Sequence, residues 1–269
     1  MLWRIEIIPT PDIVDKVQKQ LPQGSNIAVT CLPHHGPDRT MQVALRLSEE
    51  GYRVTPHLAA RSIRSKSQLR QIVRDCQKSG ISDAIVIGGD SPEAPGPYPS
   101  AVTLMRDIVE ISSGGISLTI AGYPEGHPRL NSDLLLGGLL EKQELAAGLV
   151  TQMCFSPSKV LDYVRLLRDA GITLPVFAGV PGRIERARLI ALAGNIGVGP
   201  SIKFLSRKGP LARRLLSGGS YSPQSLTTQL ETAGLAGIHL YSFNNLDLPS
   251  SAHPGITAQQ TRNLEHELR

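Results

Sequence analysis

The 269-residue chain is predicted to form an α/β fold, a (β/α)8 TIM barrel that spans residues 1–269 as a single domain. Short runs of β-branched apolar residues alternate with amphipathic helical stretches, and eight such pairs follow one another. This alternation predicts a parallel sheet with crossover helices, and eight pairs favour a closed barrel over an open sheet. Polar residues also follow several of the apolar runs, as in barrels whose sites lie at the strand ends.

The predicted strands are short apolar runs bounded by turn residues. They cover residues 3–8, 26–30, 53–57, 84–88, 116–121, 149–152, 174–178 and 237–241. The turn after the first run, Pro9-Thr10-Pro11, lacks the Gly-x-Gly-x-x-Gly pattern of a dinucleotide-binding fold. The closed barrel is therefore favoured over a Rossmann fold.

The predicted helices carry apolar residues three and four positions apart. They cover residues 11–20, 38–50, 65–79, 98–112, 132–146, 156–170, 184–193 and 222–233. Ser156-Pro157 and Ser222-Pro223 each place a capping hydroxyl before a first-turn proline, which is a helix-start signal. Residues 195–220 are rich in glycine, and we predict an irregular loop with a short helix near the barrel mouth.

The composition limits the classes of partner. Aromatic residues make up only 4% of the chain, which disfavours a platform for stacking nucleic-acid bases. The net charge is +5, but apart from a basic cluster at 203–214 the charges are spread along the chain. We therefore expect no nucleic-acid partner, whereas an anionic small ligand needs only a few of these charges.

The cysteines and the apolar segments suggest where the chain resides. Cys31, Cys76 and Cys154 are far apart and lack a Cys-x-x-Cys spacing, so they predict reduced thiols rather than a disulfide or zinc site. There is also no signal-like N-terminus and no apolar stretch of membrane-spanning length. We expect a cytoplasmic protein without a membrane partner.

Glu6 is a carboxylate within an apolar strand, Ile5-Glu6-Ile7-Ile8. Alternation places it on one face with Arg4 and Ile8, so it can point into the barrel near its mouth. A buried carboxyl group holds its proton closer to neutral pH and is suited to general acid catalysis. The alternative is a structural salt bridge to Arg4 or to a lysine.

Other polar residues occur at or after the ends of predicted strands: Thr30, His57, Asp90, Gln152 and the loop 122–128, which contains Tyr123 and His127. Gly88 and Gly89 precede Asp90 and would allow a ligand close to the backbone. The histidines are candidate acid–base groups or ligand donors, and Gln152 can both donate to and accept from a heterocycle. Each also has a structural alternative, namely a turn aspartate, a hydrogen-bonded histidine or an exposed amide. No helical His-x-x-x-His pair supports a metal site.

Taken in order, these segments resemble the methylenetetrahydrofolate reductase family. The resemblance covers nearly the whole chain, and its specific parts are the loop 122–128, close to Tyr-Pro-Glu-Gly-His-Pro, and the strand 237–244. The supporting segments are Ile5-Glu6-Ile7-Ile8-Pro9, Ala28-Val29-Thr30, Pro56-His57-Leu58, Gly89-Asp90 and Val150-Thr151-Gln152.

The resemblance implies an eight-stranded barrel that binds FAD and reduces 5,10-methylenetetrahydrofolate with NADH or NADPH. Glu6 would be the general acid that opens the five-membered folate ring, and Asp90 would stabilise the cationic iminium that results. Gln152 would hold the pterin or the nicotinamide. The implied FAD contacts are Thr30, His57, Gly89, Asp90, Tyr123, His127 and Lys142.

The resemblance leaves other functions open. Gly88 stands where many relatives have arginine, so a folate-binding barrel without flavin, acting in methyl transfer or as a subunit of a partner-dependent complex, is the alternative function. A third hypothesis is an anion- or nucleic-acid-binding protein that uses residues 203–214. A folate with a polyglutamate tail is compatible with the resemblance, and homo-oligomers are common among barrels of this class.

Overall fold

Eight parallel strands close into a barrel in their chain order, because the last strand pairs with the first. This computed structural model describes residues 1–127, 130–183, 224–231 and 234–248. The strands are β1 Leu2–Ile7, β2 Asn26–Val29, β3 Arg53–Ala59, β4 Asp83–Ile87, β5 Ser117–Gly122, β6 Gly148–Thr151, β7 Val176–Pro181 and β8 Gly237–Tyr241. The predicted closed (β/α)8 barrel is confirmed.

Helices follow the strands along the chain. They are α1 Ile13–Gln20, α2 Gly36–Glu49, α3 Lys66–Lys78, α4 Ala101–Ser112, α5 Ser132–Lys142, α6 Pro157–Asp169 and α7 Gln224–Glu231, with 3-10 turns at Ala60–Ser62 and Gln143–Leu145. The predicted helix 184–193, the irregular stretch 195–220 and the basic cluster 203–214 lie outside the described residues.

Helix α3 shows how the local sequence produces these elements. Ser65 is its N-cap, and the Ser65 hydroxyl accepts a hydrogen bond of 3.1 Å from the Gln68 backbone N–H. The predicted apolar face is confirmed, since Leu69, Ile72, Val73 and Cys76 are all buried. This face packs the helix onto the outside of the barrel, where most of the apolar core lies.

The alternation of side chains separates the outer core from the barrel interior. On β1, Trp3 packs outside the barrel with Ala178 and Ile238, whereas Arg4 contacts the Phe177 ring. Phe177 belongs to a separate apolar cluster with Ala28, Ile85 and Val150. The interior therefore has an apolar layer, with polar side chains above it toward the carboxyl ends of the strands.

Strand β3 is longer than predicted and ends at Ala59 rather than at His57. The extra length comes from parallel pairing with β4, in which His57, Leu58 and Ala59 lie opposite Ile85, Val86 and Ile87. His57 is consequently inside the strand and part of the barrel wall, rather than its last residue. Among the described residues, none of the helices is both long and apolar enough to cross a membrane.

Candidate active site inside the carboxyl end of the barrel

Three strands bring Glu6, His57 and His239 together inside the barrel. Glu6 Oε2 lies 2.9 Å from Nε2 of His239 on β8 and 3.6 Å from Nε2 of His57 on β3. The His239 side chain is fully buried, whereas the Glu6 side chain remains 13% exposed. In the described chain Glu6 thus pairs with two histidines, and not with Arg4 or a lysine.

Burial sets the protonation of this cluster. Loss of hydration raises the pKa of Glu6 to about 7, and the nearby His57 partly opposes this shift. Burial also lowers the pKa of His57 to about 4 and that of His239 to about 3. Near neutral pH both imidazoles are therefore uncharged, while the Glu6 carboxyl group exchanges its proton. This is the property that a general acid requires at that pH.

The same three residues have the donor types of a two-histidine, one-carboxylate metal site. Their ligand atoms all lie within 4.8 Å of one another. The sequence offered no sign of this set, because its members come from three strands far apart in the chain. The guanidinium of Arg4, which neighbours His239 in the sheet, opposes a dication at this position electrostatically. The expectation of no metal site stays a prediction.

Tyr241 extends the cluster toward the mouth. Its ring lies edge-on to that of His239, with the centroids 5.1 Å apart, and its hydroxyl donates a 3.1 Å hydrogen bond to the Thr151 carbonyl. Burial, followed by the charges of Glu6 and Tyr123, raises the pKa of Tyr241 well above its usual value. Tyr241 is consequently neutral and connects His239 on β8 with the end of β6.

The loop after β5 holds Tyr123 and His127 against each other, with ring centroids 5.1 Å apart in an edge-to-face arrangement. The Tyr123 backbone N–H donates to the Tyr163 hydroxyl at 3.1 Å, which ties the loop to α6. Burial and then the charge of Asp90 raise the pKa of Tyr123, so Asp90 lies within electrostatic reach of this loop. Asp90 itself is exposed beyond the end of β4.

Two further predicted residues stand at strand ends. Thr30 directly follows β2 and is buried, and its Oγ1 has no hydrogen-bond partner among the described residues. Gly89 has a φ of +86°, and a Cβ placed there would lie 3.3 Å from the Cβ of Ala59. The Thr30 hydroxyl therefore has bonding capacity for a ligand at this end of the barrel, whereas the positive φ and the close packing of Gly89 explain why a glycine stands there.

Gln152 follows β6 and is half-buried, and its backbone N–H donates to the Gly122 carbonyl at 2.7 Å. Lys142, in contrast, is the last residue of α5, the helix that leads back to the start of β6. The chain direction therefore places Lys142 toward the opposite end of the barrel from Glu6. The structure brings Gln152 to the strand ends and does not bring Lys142 there.

Sequence reasoning did not assign a role to His239, although its Nε2 lies 2.9 Å from the Glu6 carboxyl group. The available signal was alternation within β8, which puts His239 and Tyr241 on the same face of the strand. Nothing in the local sequence indicated that this face meets Glu6. That contact depends on β8 closing the barrel against β1.

Comparisons with known proteins agree with this architecture. A family model described as methylenetetrahydrofolate reductase matches residues 12–191. The 5,10-methylenetetrahydrofolate reductase of Pectobacterium carotovorum subsp. carotovorum is 26% identical over 223 residues, covering 78% of this chain and 72% of that protein. Methylenetetrahydrofolate reductase 2 of Saccharomyces cerevisiae is 26% identical over 197 residues, covering 66% of this chain.

Methylenetetrahydrofolate reductase (NADH) 1 of Arabidopsis thaliana is 23% identical over 189 residues, covering 62% of this chain. The chain spans only 32% of the length of the yeast and Arabidopsis proteins. A solved structure from Burkholderia cenocepacia J2315, described as a lyase/mutase, has a TM-score of 0.51 at 13% identity and covers 89% of this chain and 76% of its own. That last likeness concerns the barrel fold alone.

Proposed function

The chain belongs to the methylenetetrahydrofolate reductase family, and we propose that it reduces 5,10-methylenetetrahydrofolate to 5-methyltetrahydrofolate with NADH or NADPH through bound FAD. One observation carries the proposal: a buried carboxyl group, Glu6, has a pKa of about 7 and contacts neutral His239. An acid with this pKa can donate a proton at neutral pH.

The reaction needs such an acid because the methylene carbon bridges two nitrogens of the folate. The product keeps its new methyl group on N5, so the bond from the carbon to N10 breaks and N10 takes up a proton. Glu6 supplies that proton, and the remaining N5 iminium accepts a hydride at its carbon. The Glu6 carboxylate then recovers a proton from solvent through the barrel mouth.

FAD, when bound, supplies the hydride for this step. Two observations support its fit to the strand ends, namely the buried Thr30 Oγ1 without a partner and the space beside Gly88, where a Cβ would meet nothing within 4 Å. We propose that the residues Thr30, His57, Gly89, Asp90, Tyr123 and His127 hold the cofactor. Lys142 is left out of this set because α5 carries it away from the strand ends.

Two polar residues have proposed roles toward the folate. Asp90 carries a negative charge within electrostatic reach of Tyr123, so it can stabilise the cationic iminium. Gln152 is half-buried at the end of β6, where its amide can pair with the donors and acceptors of the pterin. Both proposals depend on the folate entering from the carboxyl face.

The proposal is tested by the visible absorption spectrum of the purified protein, recorded after FAD is added and the excess removed. We expect a retained flavin spectrum that NADH or NADPH bleaches without oxygen and that methylenetetrahydrofolate then restores. A colourless protein that cannot be reconstituted would overturn the FAD assignment. Folate binding by that colourless protein would favour the alternative of a flavin-free folate barrel.

A further inference from the structure

We propose that Arg4 is a positioning residue that keeps the proton of the Glu6–His239 pair on the carboxyl group, because its fixed positive charge opposes a second cation on the imidazole. The proposal rests on the proposed function of Glu6 as the proton donor. It assigns a role to a residue that the proposed reaction does not otherwise use.

Arg4 occupies an unusual place for a cation. It is 7% exposed, lies two residues before Glu6 on the same face of β1, and is the Cα partner of His239 in the β1–β8 pairing. Interiors of such barrels are ordinarily filled by branched apolar side chains. The Arg4 guanidinium instead lies 4.6 Å from the centroid of the Phe177 ring, and its Nη1 has no hydrogen-bond partner among the described residues.

An interior arginine with an unpaired nitrogen destabilises the fold, so packing alone does not explain it. The Phe177 ring stabilises the guanidinium through a cation–π contact and also holds it in place. Burial lowers the pKa of Arg4, and the charge of Asp83 opposes that shift. A guanidinium nevertheless stays protonated in proteins, so Arg4 contributes a permanent positive charge below the site.

The proton shared by Glu6 and His239 has two places to reside. Either Glu6 is a neutral carboxyl group beside a neutral imidazole, or Glu6 is a carboxylate beside an imidazolium. The second arrangement puts a cation on the residue that is paired with Arg4 across the β1–β8 ladder, and neighbouring strands lie only about 4.8 Å apart. Adjacent positive charges repel, so Arg4 favours the first arrangement, in which the proton is available for transfer.

The charges that face His239 support this interpretation. Glu6 contacts its Nε2, the His57 ring lies 6.2 Å away between centroids, and the neutral Tyr241 ring lies 5.1 Å away. After burial, the charge of Arg4 is what lowers the pKa of His239, and it also contributes to lowering the pKa of His57. Among these described neighbours, Arg4 alone carries a fixed positive charge.

The test compares Arg4→Met with Arg4→Lys by NMR of imidazole nitrogens and glutamate carboxyl carbons between pH 5 and 9. His239→Gln identifies the His239 signals, and Arg53→Met removes an exposed charge from β3 as a control. In the parent protein and in Arg4→Lys we expect a neutral His239. In Arg4→Met we expect the titration of His239 to move into this pH range, so that a protonated His239 lies beside an ionised Glu6.

An unchanged His239 titration in folded Arg4→Met would overturn the proposal, as would an equal shift in Arg53→Met. Arg4→Gln serves as the neutral variant if Arg4→Met does not fold, with folding checked by circular dichroism. These measurements need neither folate nor flavin. A shifted His239 in a protein that does not reduce folate would refute the proposed function while leaving the role of Arg4 intact.

Kinetics supply the second readout. In Arg4→Met we expect methylenetetrahydrofolate to reoxidise the reduced protein about tenfold more slowly at neutral pH, with the NADH or NADPH step much less affected. Arg4→Lys should recover most of the folate rate, because it restores the charge. Equal loss in both half-reactions, or no recovery by lysine, would indicate a structural role and contradict the proposal.

Discussion

The side-chain amide of Asn244 pairs with both backbone polar groups of Ile8. The Ile8 N–H donates to Asn244 Oδ1 at 2.8 Å, and Asn244 Nδ2 donates to the Ile8 carbonyl at 2.9 Å. Nearby, the Ser242 hydroxyl donates to the Glu6 carbonyl at 2.5 Å. The turn after β8 thus holds the end of β1, and with it the backbone of Glu6, against the strand that carries His239.

Asn244→Ala should destabilise the protein by about 2–4 kcal/mol. The substitution leaves the Ile8 polar groups without their partner, and it puts alanine at a φ of 62°, which asparagine tolerates better. Urea denaturation measures the change. The control is Asn245→Ala, whose side chain makes exposed hydrogen bonds and should change stability by less than about 1 kcal/mol. Equal effects of the two variants would contradict a stabilising role for the hydrogen bonds between Asn244 and the Ile8 backbone.

Glu6→Gln should slow the folate half-reaction by roughly 10²–10⁴-fold, because the amide is nearly isosteric but cannot donate an acidic proton. Reduction by NADH or NADPH should change far less, since that step does not open the folate ring. Stopped-flow absorbance under anaerobic conditions separates the two steps. Glu144→Gln, at an exposed position, is the matched control. Survival of both half-reactions in Glu6→Gln would refute the role as acid.

The rate of the folate half-reaction should fall as the pH rises through about 7. In the proposed reaction the reactive form has Glu6 protonated, and burial raises the pKa of Glu6 to about 7. Well above that value, each further pH unit should lower the rate about tenfold. Single-turnover rates from pH 5.5 to 9 measure this profile. A profile that is flat across this range would contradict protonated Glu6 as the reactive form.

Stability should decrease on acidification because two buried histidines must gain protons. Folding lowers the pKa of His57 from 6.5 to about 4 and that of His239 from 6.5 to about 3. The unfolded chain therefore binds more protons than the folded chain below pH 6.5. The stabilisation that is fully present above pH 6.5 is consequently lost as the pH falls through 4 toward 3. Glu6 has the opposite effect. Its contribution to the stability of the protein is lost as the pH rises from 4.5 through about 7.

Between pH 4.5 and 6.5 the two histidines outweigh Glu6, so a net gain of stability with pH is expected there. His239→Gln should flatten this dependence by up to about 1.4 kcal/mol per pH unit, which corresponds to one proton. Chemical denaturation across this range measures the slope. His34→Gln, which changes an exposed histidine, is the control. An unaltered slope in His239→Gln would show that His239 does not gain a proton on unfolding.

Thr151→Val should destabilise the protein by about 1–3 kcal/mol although its shape is conserved. The fully buried Thr151 Oγ1 accepts a 2.8 Å hydrogen bond from the Gly179 backbone N–H and donates to the Gln152 carbonyl at 3.0 Å. Valine leaves that buried N–H unpaired. Thermal or urea unfolding measures the loss. Thr103→Val is the control, because the hydroxyl of this half-buried residue bonds only the carbonyl and the hydroxyl of nearby Ser100 among the described residues. An equally large loss of stability in Thr103→Val would contradict this explanation.

The sequence predicted the barrel well because strand and helix patterns are local. The spacing of Leu69, Ile72 and Val73 defined the buried face of α3, and alternation within β1 directed Glu6 into the barrel. The end of β3 was harder to predict, because the pairing of His57 and Ala59 with β4 is not encoded in their immediate neighbours.

The sequence by itself determined the order of strands and the inward direction of Glu6, both of which depend on short-range periodicity. Only the tertiary structure decided which groups surround that carboxyl. Barrel closure brings His239 to Glu6 across 233 positions of sequence, and β3 adds His57. The direction of α5 likewise separates Lys142 from the strand ends. Burial, and with it the pKa of Glu6, arises only when these distant segments exclude water together.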